Sequence, residues 1–380
     1  MKIPITTPFF SKTEKEAIVK PLESGWVVQG PNVHEFEGEV ARYTGANFAR
    51  AVNSCTSALH LSLICAGVSP GDEVILPSFT YVATANVVEY INAVPVLVDI
   101  DPQTFNIDPI ELRKTVTAKT RAIIPVHLFG LSADMDVVMD IAEKNNIAVV
   151  EDAACSLGTL YKGKHVGTFG IGNFSFHPRK PISTGEGGII TTSSKEIADK
   201  LSSLRSHGES VSDLERHKKG AFAMPDHSML GYNYRMTDFQ GALGVEQMKK
   251  LDEVLRKRIS RAEKYTFALR NLKGIVPPHV PEGYKHTYQS YVVLVTNDCP
   301  LSRDELALQL TDRGISVRQG TQAVHTLGYY IDKYGFREQD FPVSLRASRQ
   351  SLTLPLYPQM TEEEQDYVIE NLRDLIEYEA

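Results

Sequence analysis

Short apolar runs recur through the first part of the chain, at residues 49–52, 73–76, 94–98, 122–126 and 147–150. None of them alternates apolar with polar positions. A strand wetted on one face alternates, whereas a strand covered on both faces does not. Helical stretches lie between the runs, as at 56–66 and 135–145. This rhythm predicts an α/β fold, a mostly parallel sheet between helices. Ligands in such sheets bind beyond the carboxyl ends of the strands. Pro77, Ser78, His127 and Asp152 fall at such ends.

Residues 237–271 carry a helical pattern nearly free of breakers. One helix of that length, up to ~50 Å, could bridge two domains. The pattern changes beyond it, to a strand at 288–295, a helix at 303–313 and an amphipathic helix at 361–377. We expect a large domain over 1–250 and a smaller C-terminal α+β domain over 251–380.

Composition changes this picture little. The 380 residues are 42% hydrophobic and 23% charged, with a net charge of −7. The basic residues Lys249, Lys250, Arg256, Lys257 and Arg258 share their helical segment with Glu246, Asp252 and Glu253. A solvated helix face accounts for them, so no nucleic-acid partner is expected. Cys55, Cys65, Cys155 and Cys299 form no CxxC pair and no zinc spacing. A reduced, cytoplasmic chain without bound metal is the simplest reading. No apolar run approaches the ~20 residues that cross a bilayer.

The candidate chemistry centres on Lys180. An aromatic strand at 174–177 enters a Pro turn, then Lys180, then the glycine-rich turn Ser183-Thr184-Gly185-Glu186-Gly187-Gly188, then a second strand at 189–192. Chain shaped on both sides can fix one amine in a cleft, where partial desolvation makes it a nucleophile toward carbonyls. Asp152 ends the apolar strand that precedes it. A lysine and a strand-end carboxylate suit a pyridoxal phosphate site, the lysine as Schiff base and the carboxylate against the pyridinium nitrogen.

Three further segments could complete such a site. The segment Asn53-Ser54-Cys55-Thr56-Ser57 follows a strand and opens a helix. Free backbone N–H groups and the helix dipole make a phosphate cradle there, with Thr56 and Ser57 hydroxyls. An ordinary helix cap explains the same residues, but the lysine–aspartate pair in the same sheet favours the cradle. Ser175 could add a hydroxyl. Of Phe79 and Tyr81, we assign Tyr81 to stack on the cofactor ring and Phe79 to the core. The tract Gly231-Tyr232-Asn233-Tyr234-Arg235 offers an amide and a guanidinium, either as part of a site or as a loop leading into the helix capped by Thr237. Gly167-Thr168-Phe169-Gly170-Ile171-Gly172 precedes a strand rather than opening a helix, so it is not a dinucleotide loop.

Together these motifs resemble the DegT/DnrJ/EryC1/StrS sugar aminotransferases, of the fold-type I group of pyridoxal phosphate enzymes. The likeness runs nearly end to end, from Ser24-Gly25-Trp26 to Leu354-Pro355-Leu356-Tyr357-Pro358. It implies that Lys180 holds the cofactor and shuttles the proton, with Asp152 on the ring nitrogen and Tyr81 over the ring. It implies that Thr56, Ser57 and Ser175 bind the phosphate. Asn233 would reach the phosphate of the other subunit in a homodimer with shared active sites, and Arg235 would face the substrate. The resemblance implies glutamate as amino donor and a nucleotide-linked keto sugar as acceptor. The His-Pro-x-Lys and Thr-Gly-Glu-Gly-Gly forms lean toward C4 over C3.

The chain departs from the pattern in places. It has Cys55 where the family usually has Gly, and Cys155 where Gln or His is usual. Residues 318–325, ending at His325, are unlike the commoner versions and lie where sugar specificity is set, so His325 is expected to bind substrate. Rival readings are an aminotransferase for a cyclic ketone such as an inosose, and a cofactor-dependent sugar dehydratase. The dehydratases replace the lysine with histidine, so Lys180 argues against that reading.

Overall fold

A computed structural model describes residues 1–210 and 226–377. The apolar runs become five strands of a seven-stranded sheet. Its strands are β1 (Phe48–Val52), β2 (Glu73–Pro77), β3 (Val94–Val98), β4 (Thr120–Ile123), β5 (Ala148–Asp152), β6 (Ile171–Ser175) and β7 (Gly188–Thr192). Their order across the sheet is β1-β7-β6-β5-β4-β2-β3. β7 runs antiparallel to both of its neighbours. The other pairs are parallel, as the unbroken apolar runs predict. β6 therefore ends, and β7 begins, at the edge where the parallel strands have their carboxyl ends. The loop between them carries Lys180 to that edge.

Helices cover both faces. Cys55–Cys65 buries eight of its eleven residues, so it has no solvent stripe. It packs between the sheet and its neighbours Ala83–Tyr90 and Lys195–Leu204. Met135–Asn145 is amphipathic and buries only Met135, Val138, Ile141 and Ala142.

A second sheet lies C-terminal: β8 (Ile275–Val276), β9 (Tyr291–Val295), β10 (Arg318–Gln319) and β11 (Ser351–Leu354), in the order β8-β9-β11-β10, all antiparallel. Its core gathers Tyr291, Leu352 and the apolar face of Glu362–Glu377. Ile3 joins this core and bridges to Ile315, so the chain's first residues belong with its last part.

Two expectations need correction. Residues 237–271 form two helices, Asp238–Met248 and Leu251–Leu269. The break is tertiary in origin. Lys250, between the two helices at φ −104°, ψ −5°, points its amine at the buried Glu14, 2.6 Å away. Gln247 beside it donates to Glu14 and to the Phe9 carbonyl. Periodicity cannot register a partner more than two hundred residues away. The second helix still links the two parts, with Leu251 and Leu255 in the first core and Ala262, Tyr265 and Leu269 in the second. The strand expected at 288–295 starts only at Tyr291. Tyr288 has φ +48° and stacks its ring on His286 at 3.9 Å, which is incompatible with extended backbone.

Candidate active site

A cavity of about 430 Å³ opens at the carboxyl edge of the large sheet, walled on its other side by Gln289, Ser290, Gly320 and Thr321 of the C-terminal part. Thr56, Tyr81, Asp152, Ser175 and Lys180 all line it. Five elements distant in sequence thus meet at one edge, as the strand-end rule requires.

Asp152 is 6% exposed. Its Oδ2 accepts the Thr84 hydroxyl at 2.7 Å, and its Oδ1 accepts the Ala154 N–H at 3.1 Å. Thr84 is in turn 3.0 Å from the Thr80 hydroxyl. These bonds fix the carboxylate plane. Behind it, Glu151 is fully buried. Its Oε1 accepts N–H bonds from Phe169 and Gly170, both at 2.8 Å, and its Oε2 accepts Gly167 N–H at 2.6 Å and His127 Nε2 at 3.1 Å. Burial pushes Glu151 up, but the bonds from His127 and the two glycines outweigh it and hold the carboxyl below its usual range. Ala133 N–H donates to His127 Nδ1 at 3.1 Å, so Nε2 carries the proton. The Gly-rich tract that imitates a dinucleotide loop is therefore a turn wrapped around a buried carboxylate. Glycine is required there: a Cβ at Gly170 would lie 2.2 Å from the Val149 carbonyl oxygen.

Lys180 sits in the turn after β6, its N–H bonded to the His177 carbonyl at 2.8 Å. Its Nζ lies 3.1 Å from Cys155 Sγ, its one polar partner among the described residues. A thiol is a weak acceptor, so the amine remains available to the cavity. Cys55 stays a thiol, because burial and then the Asp152 charge push its pKa well above the ordinary value.

At the start of helix Cys55–Cys65, Ser54 Oγ accepts Ser57 N–H at 3.1 Å as an N-cap. Thr56 faces the cavity. Ser57 does not line it: its hydroxyl donates to Asn53 Oδ1 at 2.7 Å and contacts Ser54 Oγ at 2.9 Å. The cradle is tight because β7 begins with glycine. A Cβ on Gly188 would fall 2.4 Å from the Ser54 carbonyl oxygen and 2.7 Å from the Cys55 nitrogen.

Phe79 is fully buried against Phe105 and Phe129, while Tyr81 is 65% exposed at the rim. Asn233 and Arg235 lie outside the cavity lining. Their tract is pinned to its own chain by Asn53 N–H to the Tyr234 carbonyl and Tyr234 N–H to the Arg205 carbonyl, both backbone bonds. Asn233 itself projects into solvent. His325 is turned away from the cavity: it is fully buried, with Nδ1 2.7 Å from Ser78 Oγ and Nε2 3.1 Å from the Glu338 carbonyl. Gly320 and Thr321 take its place as the part of that segment lining the cavity. Sequence reasoning missed Thr84, Glu151, Arg179 and Gln289 as parts of this site; Thr80 and Thr84, four residues apart at the start of helix Ala83–Tyr90, were the one visible signal among them.

A helix start with a free hydroxyl, an unencumbered lysine amine and a buried, oriented carboxylate on one edge fit pyridoxal phosphate, and define the site of a pyridoxal phosphate-dependent aminotransferase. The chain belongs to the DegT/DnrJ/EryC1/StrS aminotransferase family, whose model matches residues 9–373. The spore coat polysaccharide biosynthesis protein SpsC of Bacillus subtilis is 38% identical over 377 residues, 98% of this chain and 97% of that protein. A putative sugar aminotransferase of Streptococcus pneumoniae, solved in its PMP-form, superposes with a TM-score of 0.94 at 30% identity over 100% of both chains. Its PLP-form gives 0.93. Helicobacter pylori PseC, an aminotransferase of pseudoaminic acid biosynthesis, gives 0.92 at 26% identity over 100% of both chains.

Proposed function

We propose that this enzyme transfers the amino group of glutamate to a nucleotide-linked keto sugar, with C4 favoured over C3, in the biosynthesis of a polysaccharide. The observation that carries the reading is the open amine of Lys180 on the same strand edge as the oriented Asp152 carboxylate. The sugar-linked names of SpsC and PseC support a sugar acceptor. Pyridoxal phosphate supplies an electrophilic aldehyde and an electron-accepting pyridine ring.

The protein's own groups do the rest. Thr56, the N–H groups of its helix start and Ser175 bind phosphate. Tyr81, at the cavity rim, would cover one face of the ring. Asp152 would pair with the pyridine nitrogen and keep it protonated, and Thr84 and the Ala154 N–H fix the plane of its carboxylate. Lys180 Nζ takes the proton from the α-carbon of the amino donor and later delivers a proton to the former keto carbon of the sugar. The sequence of steps runs forward with glutamate and backward with the sugar, so one cavity serves both substrates. The working unit is a homodimer in which the exposed Asn233 of each chain reaches the site of its partner, with Arg235 nearby. The test is mass spectrometry of products from a panel of nucleotide-linked 4-keto and 3-keto sugars with glutamate. Amination of free cyclic ketones but of no nucleotide-linked sugar would overturn this reading in favour of an inosose-type substrate.

A further inference from the structure

Arg179 immediately precedes Lys180 and lines the cavity, half-buried. Its backbone is clamped on both sides. Its N–H donates to His177 Nδ1 at 3.2 Å, and its carbonyl accepts Gln289 Nε2 at 2.8 Å. Gln289 is itself anchored. Its Oε1 accepts the Ser290 hydroxyl at 3.1 Å, and its carbonyl accepts Arg258 Nη2 at 2.7 Å. Arg258 is 1% exposed, so this anchor is part of the core. The guanidinium of Arg179, by contrast, has no hydrogen-bond or carboxylate partner among the described residues.

A second guanidinium, that of Arg318, acts on it by charge and has no hydrogen-bond or carboxylate partner among the described residues. Arg318 lies exposed on β10, two residues before Gly320, which lines the cavity together with Thr321. Burial, and then the charge of Arg318, pull the pKa of Arg179 below the ordinary guanidinium value. A half-buried guanidinium that also feels a second like charge is unfavourable unless an anion joins it. The carboxylates that line the cavity are Asp152 and Glu186. Asp152 is engaged by Thr84 and Ala154.

We infer that Arg179, with Arg318 outside it, is a specificity-determining subsite for the side-chain carboxylate of a dicarboxylic amino donor. The geometry favours the distal carboxylate. The α-carboxylate stays one bond from the reacting carbon beside Lys180, whereas exposure rises from Arg179 to Arg318, so the pair runs from the cavity outward. A planar guanidinium held by its own backbone suits a carboxylate in a bidentate bond. This inference rests on the glutamate reading above and adds the residue that selects it.

The test uses the enzyme loaded with pyridoxal phosphate and follows the donor half-reaction by its absorbance change. Wild type, Arg179→Leu and Arg179→Lys are compared with L-glutamate and with L-2-aminobutyrate, which lacks the distal carboxylate. Arg179→Leu should lower the second-order rate constant for glutamate roughly 10- to 100-fold. The constant for 2-aminobutyrate should barely move, and Arg179→Lys should fall between. Binding gives an independent readout: calorimetry with glutarate and valerate should show a preference for the diacid that Arg179→Leu abolishes. Equal losses with both amino acids, or an unchanged diacid preference, would overturn the inference. If the wild type does not react with glutamate, the donor reading fails, and the glutarate–valerate comparison still decides the role of Arg179.

Discussion

Replacing Glu151 by Gln tests whether the buried carboxylate behind Asp152 holds the site's frame. Glu151 accepts four hydrogen bonds: from Phe169 and Gly170 at one oxygen, and from Gly167 and His127 at the other. An amide keeps one acceptor and turns the other oxygen into a donor. If the NH2 faces Phe169 and Gly170, two backbone N–H groups lose their acceptor. If it faces Gly167 and His127, the glycine loses its acceptor. His127 cannot compensate by changing tautomer, because its Nδ1 already accepts from Ala133. Each buried donor left unpaired costs about 1–3 kcal/mol. Removing a buried charge returns part of that. The net expectation is ~2–4 kcal/mol, a large share of the 5–15 kcal/mol typical of a folded protein.

The assay is urea unfolding of the cofactor-free protein at several pH values. The native-state pKa of Glu151 is lowered, so the stability it contributes is present above the ordinary carboxylate pKa and is lost as pH falls through the folded value. At pH 7 the variant should therefore unfold at a lower midpoint than wild type, and the gap should narrow below about pH 4.3. Equal midpoints at pH 7, or a gap that stays constant on acidification, would refute the argument.

Three further outcomes follow from the same geometry. Borohydride reduction of the loaded enzyme should fix the pyridoxyl group to the peptide carrying Lys180, and peptide mass spectrometry would locate it; a label on another lysine removes Lys180 from its role. Asp152→Asn should leave the fold intact and lower turnover by roughly two to four powers of ten, from the ~3–5 kcal/mol cost of losing a buried charge partner; steady-state kinetics near the wild-type rate would mean that another group holds the ring proton. Lys180→Ala and Asn233→Asp, each inactive alone, should regain activity when refolded together, because one site of the hybrid dimer carries neither change; hybrids verified by tagged pull-down that stay inactive would exclude a shared site.

The parallel core was legible because burial on both faces leaves a direct mark on composition. The runs at 94–98 and 135–145 coincide with β3 and with helix Met135–Asn145. Two errors have different physical origins, one local and one distant. Pro125 has no N–H to extend β4 beyond Ile123, although its carbonyl still accepts Asp152 N–H at 2.9 Å. Lys250 breaks a helix to reach Glu14, whose pKa the encounter helps lower to about 2 against the opposing effect of burial. Glu14 is not visible in a window of residues around Lys250, whereas Pro125 lies within the expected strand itself.

The site divides along the same line. The placement of Lys180, Asp152, Thr56 and Ser175 in one cavity was legible because each ends or follows a strand, and the strand ends share one edge. What lies behind them was not. Glu151 reads in the sequence as a polar residue interrupting a buried strand, and Gly167 to Gly172 as a failed nucleotide motif. Each explains the other, because the carboxylate supplies the acceptors that the turn's N–H groups need, and the glycines allow the close approach. His325 shows the converse error. A histidine in a segment expected to meet substrate was assigned there by position, but Ser78 and the Glu338 carbonyl take both ring nitrogens. Burial is what separates the two cases. A polar side chain in the core must find its partners within the protein, and once Ser78 and Glu338 have been found, His325 has no nitrogen left to offer a substrate.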